Sequence, residues 1–441
     1  MDNLQIGLLF TGLMLVLVFI GVRVAFAAAL AGTLGLITIL SMRLGFEKGL
    51  TAGLGMAGTI PHSKSVTYAL SILPMFILIG FLAFHAGITK AVFEAAKRWL
   101  GWLPGGLAVA TVFATAGFAA VSGASTATAA VFSRVAIPEM LNEGYDRRLA
   151  AGVVAAGGTL ATLIPPSAIL VIYAIIVEES VGQLLLAGFL PGIVSAMIYA
   201  LIVIMRVKLN PSMGPSVRGY TWKQRLSSAP GTFPIIAVIV IIFGSMYFGW
   251  ATPTEAGALG AFVVFILAVI RGTPLGVLRE ALIETSKLTV MIFTIIWGVL
   301  VYVRFLGFAG LPDAFATWIS GLDYSPLLIL LFILSAYAIL GMFMDAIGML
   351  LLTLPVVQPA VIALGYDPIW FGIIVVKMAE LCLITPPVGL NCYVVSGVRP
   401  DIPVQDVFRG CWPFFVADIL TIAVLIAFPQ IILFLPTAMM G

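Results

Sequence analysis

The 441-residue chain is 62% hydrophobic and 9% charged, with a mean hydropathy of +1.18, which excludes a water-soluble domain and points to a polytopic membrane protein. Its net charge of +3 speaks to membrane orientation and gives no argument for nucleic acid. Three cysteines without metal-ligand spacing and two histidines, His62 and His85, indicate neither a disulfide framework nor a zinc site. No Walker-type loop, dinucleotide fingerprint or HExxH pattern is present, so an ATP-driven pump would need a separate ATPase chain.

In chain order, apolar runs suited to about 30 Å of hydrocarbon fall near 4–22, 24–41, 67–86, 104–121, 149–164, 181–204, 232–249, 257–270, 288–303, 326–343, 369–384 and 413–436. The first has no basic n-region, only Asp2 before it and Arg23 after it, so it reads as a true span with the N-terminus outside. Between Ile88 and Leu100 the chain carries Lys90, Glu94, Lys97 and Arg98 and reads as an amphipathic helix lying at the cytoplasmic interface. Shorter apolar pieces at 124–140, 167–177, 346–364 and 387–397 read as half-helices or re-entrant hairpins. The stretch 205–231, with Arg206, Lys208, Arg218, Lys223 and Arg225 and no acid, is the strongest cytoplasmic loop.

Two halves flank that loop. Pro165-Pro166 and Pro386-Pro387 are each preceded by Gly-Tyr-Asp, at 144–146 and 365–367, with 18 residues between Asp and the first Pro in both copies. Pro138 and Pro359 stand ahead of each glycine with 5 residues between, so a constant offset of 221 relates the two sets. The pattern predicts an internal duplication, residues 1–204 and 232–441 joined by a basic linker at 205–231. In membrane proteins, matched interruptions of two apolar segments point to a transport site.

Proline lacks an N–H and disfavours helix at the residue before it, so each Pro-Pro should stop a helix near mid-membrane and leave the carbonyls of its last turn unpaired. Such groups survive only where buried in protein or lining a cavity, where they can coordinate a cation. The plain alternative is a pair of kinks that merely shape helices. Upstream of each pair is a second break, Ser122-Gly123-Ala124-Ser125-Thr126 in the first half and Gly341-Met342-Phe343-Met344-Asp345 in the second. Their hydroxyls and carboxylate are hard oxygen ligands suited to Na⁺; any single Ser or Thr here is better read as bonding to the carbonyl one turn back or packing against a neighbouring helix, whereas the cluster beside a Pro-Pro break favours ligation.

Ionisable groups inside apolar segments are costly and usually face protein or water. Lys377 and Glu380 share a helix face and can neutralise each other. Glu255 reads as an N-terminal helix charge or a latch. Arg304 and Asp418 could meet an anionic substrate, but isolated positions of this kind are more often paired structurally.

Together Ser-Gly-Ala-Ser at 122–125, Gly-Tyr-Asp-Arg-Arg at 144–148, Trp-Ala-Thr-Pro-Thr-Glu-Ala-Gly at 250–257, Gly-Met-Phe-Met-Asp at 341–345 and Thr-Pro-Pro-Val-Gly-Leu-Asn at 385–391 resemble the large membrane subunit of tripartite ATP-independent periplasmic (TRAP) transporters of the C4-dicarboxylate permease type. The resemblance implies an all-α fold of two inverted repeats with re-entrant hairpins and broken helices, an elevator-type ion transporter and not an enzyme. It implies Na⁺-coupled uptake of an organic anion across the bacterial or archaeal inner membrane, with a small membrane subunit and a periplasmic solute-binding protein as partners. It also implies two cation sites, one involving Ser122, Ser125, Ala161, Ile164 and Pro166, the other Gly341, Cys382, Thr385 and Val388. Substrate would lie between the hairpin tips, near Ser125, Thr126, Asp345, Pro386 and Asn391. Ala124, Ala161 and Cys382 depart from the family's usual residues. A stand-alone ion-coupled carboxylate carrier or cation antiporter of related fold is the competing function, and a membrane enzyme the second; neither accounts for the full motif set.

Overall fold

The structure, a computed structural model, describes residues 2–217 and 219–440; Arg218 of the basic linker lies outside them. The first half holds α1 (Asn3–Phe19), α2 (Val24–Leu44), α3 (Phe46–Ser65), α4 (Ile72–His85), α5 (Ile88–Leu100), α6 (Gly106–Ser122), α7 (Ser125–Asn142), α8 (Arg147–Thr159), α9 (Ala168–Val177) and α10 (Val181–Leu209). The linker holds α11 (Trp222–Ser228), and the second half α12 (Phe233–Tyr247), α13 (Pro253–Ile270), α14 (Leu275–Ala309), α15 (Leu311–Ser320), α16 (Pro326–Gly341), α17 (Ala346–Ala363), α18 (Pro368–Cys382), α19 (Leu390–Val398), α20 (Val404–Ala427) and α21 (Gln430–Met440). No strand occurs among the described residues.

Adding 221 to the bounds of α7, 125–142, gives 346–363, the bounds of α17. The same shift lays α6 on α16, α8 on α18, α9 on α19 and α10 on α20 to within a few residues. The duplicated Gly-Tyr-Asp is a helix-to-helix corner, built the same way twice. Gly144 (φ +80) and Gly365 (φ +86) take the left-handed turn that ends α7 and α17. The Gly144 and Tyr145 amides then donate to the Leu141 and Met140 carbonyls, and those of Gly365 and Tyr366 to Ile362 and Val361. One residue on, the Asp146 carboxylate accepts the Arg148 and Leu149 amides, and Asp367 that of Trp370, capping α8 and α18.

The helices sort into two groups. α2 packs along α14 and α3, α4 against α13 and α14, and α12 against α13. A close crossing of α2 and α14 uses Gly298, where a Cβ would stand 2.0 Å from the Ala25 carbonyl oxygen. The other group contains the two hairpins, α6–α7 and α16–α17, and the helices that follow them. Here the halves exchange partners: α9 packs on α17 and α19 on α7, while α10 contacts α18 and α20 contacts α8. α8 and α18, on the inside of this exchange, are buried along nearly their whole length.

Several expectations change. Among the described residues six helices, or eight if two bent pairs each count once, are long and apolar enough to cross a membrane, fewer than the apolar runs suggest, because several runs end at breaks. The run 413–436 is divided at Phe428 and Pro429 between α20 and α21. α17 is long enough to span despite Pro355 and Pro359, where a shorter piece is expected. α3 has no counterpart among the apolar runs, because Glu47, Lys48, Pro61 and His62 interrupt its apolar pattern. α5 occupies the residues expected and meets α4 at a 69° bend. Glu255 closes a capping box, its carboxylate 2.7 Å from the Thr252 amide, which is the helix-charge reading of that residue.

The 205–231 stretch is less of a loop than its charges suggest, since Arg206 and Lys208 lie in the last turn of α10. Beyond α10 it straps the foot of the first hairpin. Asp146 donates its amide to the Met213 carbonyl (2.9 Å), Gly105 to Gly214 (3.2 Å) and Val217 to Gly101 (2.9 Å). The Tyr145 hydroxyl donates to the Pro215 carbonyl (2.8 Å) and accepts the Leu107 amide. Burial pushes this phenol up to about 12, so it remains a donor throughout the physiological range.

Candidate functional site

Proline at 165 and 166 deprives the Ala161 and Thr162 carbonyls of the amides they would meet four residues on, and proline at 386 and 387 does the same to Cys382 and Leu383. Both Pro-Pro peptide bonds are cis. After the first break the Ser167 side chain caps α9 through the Leu170 amide and donates its hydroxyl to the Thr162 carbonyl. After the second, the Asn391 amide donates to Leu383 (3.0 Å) and the Thr385 amide to Cys382 (3.3 Å). The Thr385 hydroxyl donates to the Leu381 carbonyl one turn back, at 2.6 Å, leaving its lone pairs available.

Each hairpin tip sits against the break of its own half. At Gly123 (φ +59) a Cβ would stand 2.3 Å from the Pro166 carbonyl oxygen, and the Val388 amide donates to the Met342 carbonyl at 3.3 Å. The first expected set is therefore gathered: Ser122 ends α6, Ser125 begins α7, and Ala161, Ile164 and Pro166 line the break, all buried. In the second set Gly341 and Cys382 touch so closely that a Cβ on Gly341 would meet the Cys382 sulfur at 1.9 Å. The thiol fills the space left by the glycine and reaches the Tyr337 and Ala338 carbonyls at 3.8 and 3.9 Å.

The two halves join through a buried amide. Asn391 Nδ2 donates to Ser125 Oγ (2.8 Å) and to the Ala155 carbonyl (3.0 Å), so residues expected at the substrate position from opposite halves are in direct contact. Of the others, Thr126 is half-buried at the first tip, while Asp345 and Pro386 are exposed. Asp345 is also the N-cap of α17, accepting the Gly348 amide at 3.0 Å. Cavities open beside both tips where they face α14. One of about 230 Å³ is lined by Ser122, Ala124, Arg134 and Glu284; another of about 740 Å³ is lined by Asp345, Arg23 and Lys287. Ala124 and Asp345 are equivalent under the 221 offset, and each lines the cavity beside its own tip.

Arg23, Lys287, Arg134 and Glu284 were not among the expected site residues. Their signal in sequence, lone charges near apolar runs, does not say which tip they face. Arg304 lies away from both tips, over the Phe308 ring and beside Thr59 and Ser63. Asp418 is paired inside the protein with Lys377. Among the described residues no group of three or more His, Cys, Asp or Glu side chains could hold a metal ion, so any cation held at the breaks would rest on carbonyls and hydroxyls.

Comparison with known proteins bears on the family and the fold. The chain is 36% identical over 373 residues, 84% of its length and 86% of the relative's, to the C4-dicarboxylate TRAP transporter large permease protein of Pseudomonas aeruginosa. It is 32% identical to the sialic acid TRAP transporter large permease protein of Vibrio cholerae, covering 85% of this chain and 87% of that one. In fold it resembles the Alcanivorax borkumensis YdaH transporter, with a TM-score of 0.58 at 14% identity over 87% of this chain and 90% of the other. Neisseria gonorrhoeae MtrF aligns at a TM-score of 0.56 and 13% identity, covering 86% and 84%. Residues 11–431 match the model of the DctM component of the tripartite ATP-independent periplasmic transporter, and the chain belongs to that family, as a permease component and not an enzyme.

Proposed function

We propose that this chain is the large permease of a Na⁺-coupled uptake system for an organic anion in a bacterial or archaeal inner membrane. It would work with a small membrane subunit and a periplasmic solute-binding protein that delivers the substrate. The observation that carries the reading is the pairing of each hairpin tip with a Pro-Pro break of the same half, twice over, with the halves bridged by Asn391. Carbonyls whose helical amides are replaced by prolines keep at least one lone pair free, and with the hydroxyls beside them they form hard oxygen sites for a monovalent cation. Ser122, Ser125, Ala161, Ile164 and Pro166 would hold one Na⁺, and Gly341, Cys382, Thr385 and Val388 a second. The anion would bind near Ser125, Thr126, Asp345, Pro386 and Asn391, where relatives named for dicarboxylates and for sialic acid support a carboxylate. An elevator motion would carry the hairpin group past the α2–α14 group.

The test is uptake of labelled organic acids by proteoliposomes holding the chain with its small subunit and supplied with its binding protein. Uptake should require an inward Na⁺ gradient and no ATP. Full activity on a proton gradient alone, or full uptake by this chain without either companion, would refute the reading. Thr385→Val keeps the side-chain shape and removes one oxygen. A lost contact to a charged ion is worth about 1.5–3 kcal/mol, so apparent Na⁺ affinity should fall by roughly one to two decades. A normal Na⁺ activation curve would leave Thr385 as a hydroxyl bonded to its own helix.

A further inference from the structure

The residues expected around the substrate carry the wrong charge for an anion. Ser125, Thr126, Pro386 and Asn391 are neutral and Asp345 is a carboxylate, so this set alone would repel an organic acid. The cavities beside the two hairpin tips show where a compensating charge lies. At the first tip the ionisable lining residues are Arg134 and Glu284, one of each sign, in an otherwise largely apolar cavity of about 230 Å³. Glu284 is further engaged by His85 Nε2 at 2.9 Å. At the second tip the cavity is larger, about 740 Å³, and its ionisable lining is Arg23, Lys287 and Asp345, two cations against one acid.

Neither of these two cations is used to hold the fold. Among the described residues Arg23 and Lys287 form no ion pair, and both are exposed. Arg23 stands at the N-cap of α2 but its side chain does not cap the helix. Lys287 lies twelve residues past Leu275, the first of α14, roughly 18 Å along a helix long and apolar enough to span. A cation at that depth is costly unless it faces water or a counter-charge. Asp345 does not serve both, since its carboxylate also accepts the Gly348 amide of its own helix at 3.0 Å and one acid cannot cancel two cations. Like charges lining one cavity also repel each other, and an anion between them relieves both costs.

We infer that Arg23 and Lys287 bind a carboxylate of the transported acid in the second-tip cavity, supplying from the α2–α14 side the positive charge that Asp345 takes away. The inference rests on the reading of the chain as an organic-anion permease, and adds to it two residues and a place. The anion contacts both helix groups, because Arg23 and Lys287 stand on α2 and α14 while Asp345 belongs to the second hairpin. It does so at the second tip and not at the first, where the lining charges already balance. Arginine offers a carboxylate a planar fork and lysine a point charge. An acid with two carboxylates can meet both cations at once, so it gains more from the pair than an acid with one.

The test is the kinetics of uptake by proteoliposomes holding the full complex, with labelled succinate and N-acetylneuraminate as the dicarboxylate and monocarboxylate probes. Arg23→Gln and Lys287→Gln should each raise KM roughly tenfold or more, for succinate more than for N-acetylneuraminate, and leave the half-activating Na⁺ concentration unchanged. Lys287→Arg should keep most of the wild-type affinity. Asp345→Asn retains an N-cap residue on α17 and, added to Lys287→Gln, should restore much of the lost affinity, because it removes the charge that Lys287 offsets. An unchanged KM in both glutamine variants would overturn this inference alone, leaving co-transported Na⁺ to offset Asp345 and the two cations to orient the chain in the membrane. A loss in Lys287→Arg as large as in Lys287→Gln, or no restoration by Asp345→Asn, would make the role one of packing and overturn it equally. Wild-type complex that takes up neither probe nor any other organic anion would instead sink the permease reading, and this inference with it.

Discussion

The two Pro-Pro breaks share a sequence pattern but not an environment. Residues 161–167 of the first are buried throughout, whereas Pro386, Pro387 and Val388 of the second are exposed. The difference originates on another helix. α10 lies against the first break because Gly188 and Gly192 leave room: a Cβ would come within 2.5 Å of the Leu163 carbonyl oxygen at one and 2.4 Å of Ile164 at the other. The equivalent positions on α20 are Arg409 and Pro413, and Arg409 is exposed. A duplicated motif thus sets the backbone of a site, while unduplicated neighbours decide how open it is.

Glycine at the tips is likewise unequal. Gly123 is required at the first, by its positive φ and by the Pro166 carbonyl, but the equivalent position at the second tip is Met344. Gly123→Ala should therefore cost about 3 kcal/mol, from left-handed strain plus a clash with backbone. Thermal unfolding of the purified protein checks this, with Met344→Ala as the partner measurement expected to cost less. Equal losses would mean that the tips are built alike after all.

Asn391 has Leu170 as its equivalent, so this polar bridge has no counterpart at the matched position of the first half, where Tyr173 instead reaches across to the Pro368 carbonyl at 2.7 Å. Asn391→Ala should cost about 2 kcal/mol, since it strands Ser125 Oγ and removes a second donor from the Ala155 carbonyl. Uptake should fall as well if the bridge sets the distance between the breaks. Ser167→Ala should be milder, about 1 kcal/mol, as for loss of an N-cap. Its effect would be confined to the first break, seen as faster amide exchange at the start of α9. The same exchange rate in variant and wild type would show that the Ser167 hydroxyl does not hold that turn.

The fold was legible where local chemistry was repeated. Gly-Tyr-Asp stands out because its glycine and aspartate each have a backbone task that few residues can perform, so duplication preserves the letters. α3 escaped notice because Pro61 and its charges break the apolar pattern. The Lys377–Glu380 pair was visible from its spacing of three. Its other partners, Asp418, Tyr199 and Thr159, were not, because they arrive from three other helices and no local periodicity links them. The openness of the second break was hidden for the same reason, since it depends on glycines of α10 that carry no mark of what they pack against.

α5 and α11 are fastened to each other: Arg98 donates to the Gln224 carbonyl at 3.2 Å and Trp99 Nε1 to that of Arg225 at 3.2 Å. α5 joins α4 through Gly87, in the left-handed conformation, at a 69° bend, and α11 joins α12 beside Thr232 at a 49° bend. The fastened pair is also held to the first hairpin, α5 packing along α6 and Lys97 pairing with Glu139 of α7. It is in effect a strut between the two helix groups, tied to one through the bends at Gly87 and Thr232 and to the other by packing and charge. A displacement of one group against the other therefore has to flex those two bends or strip α5 from the hairpin, and stiffening either bend should resist it.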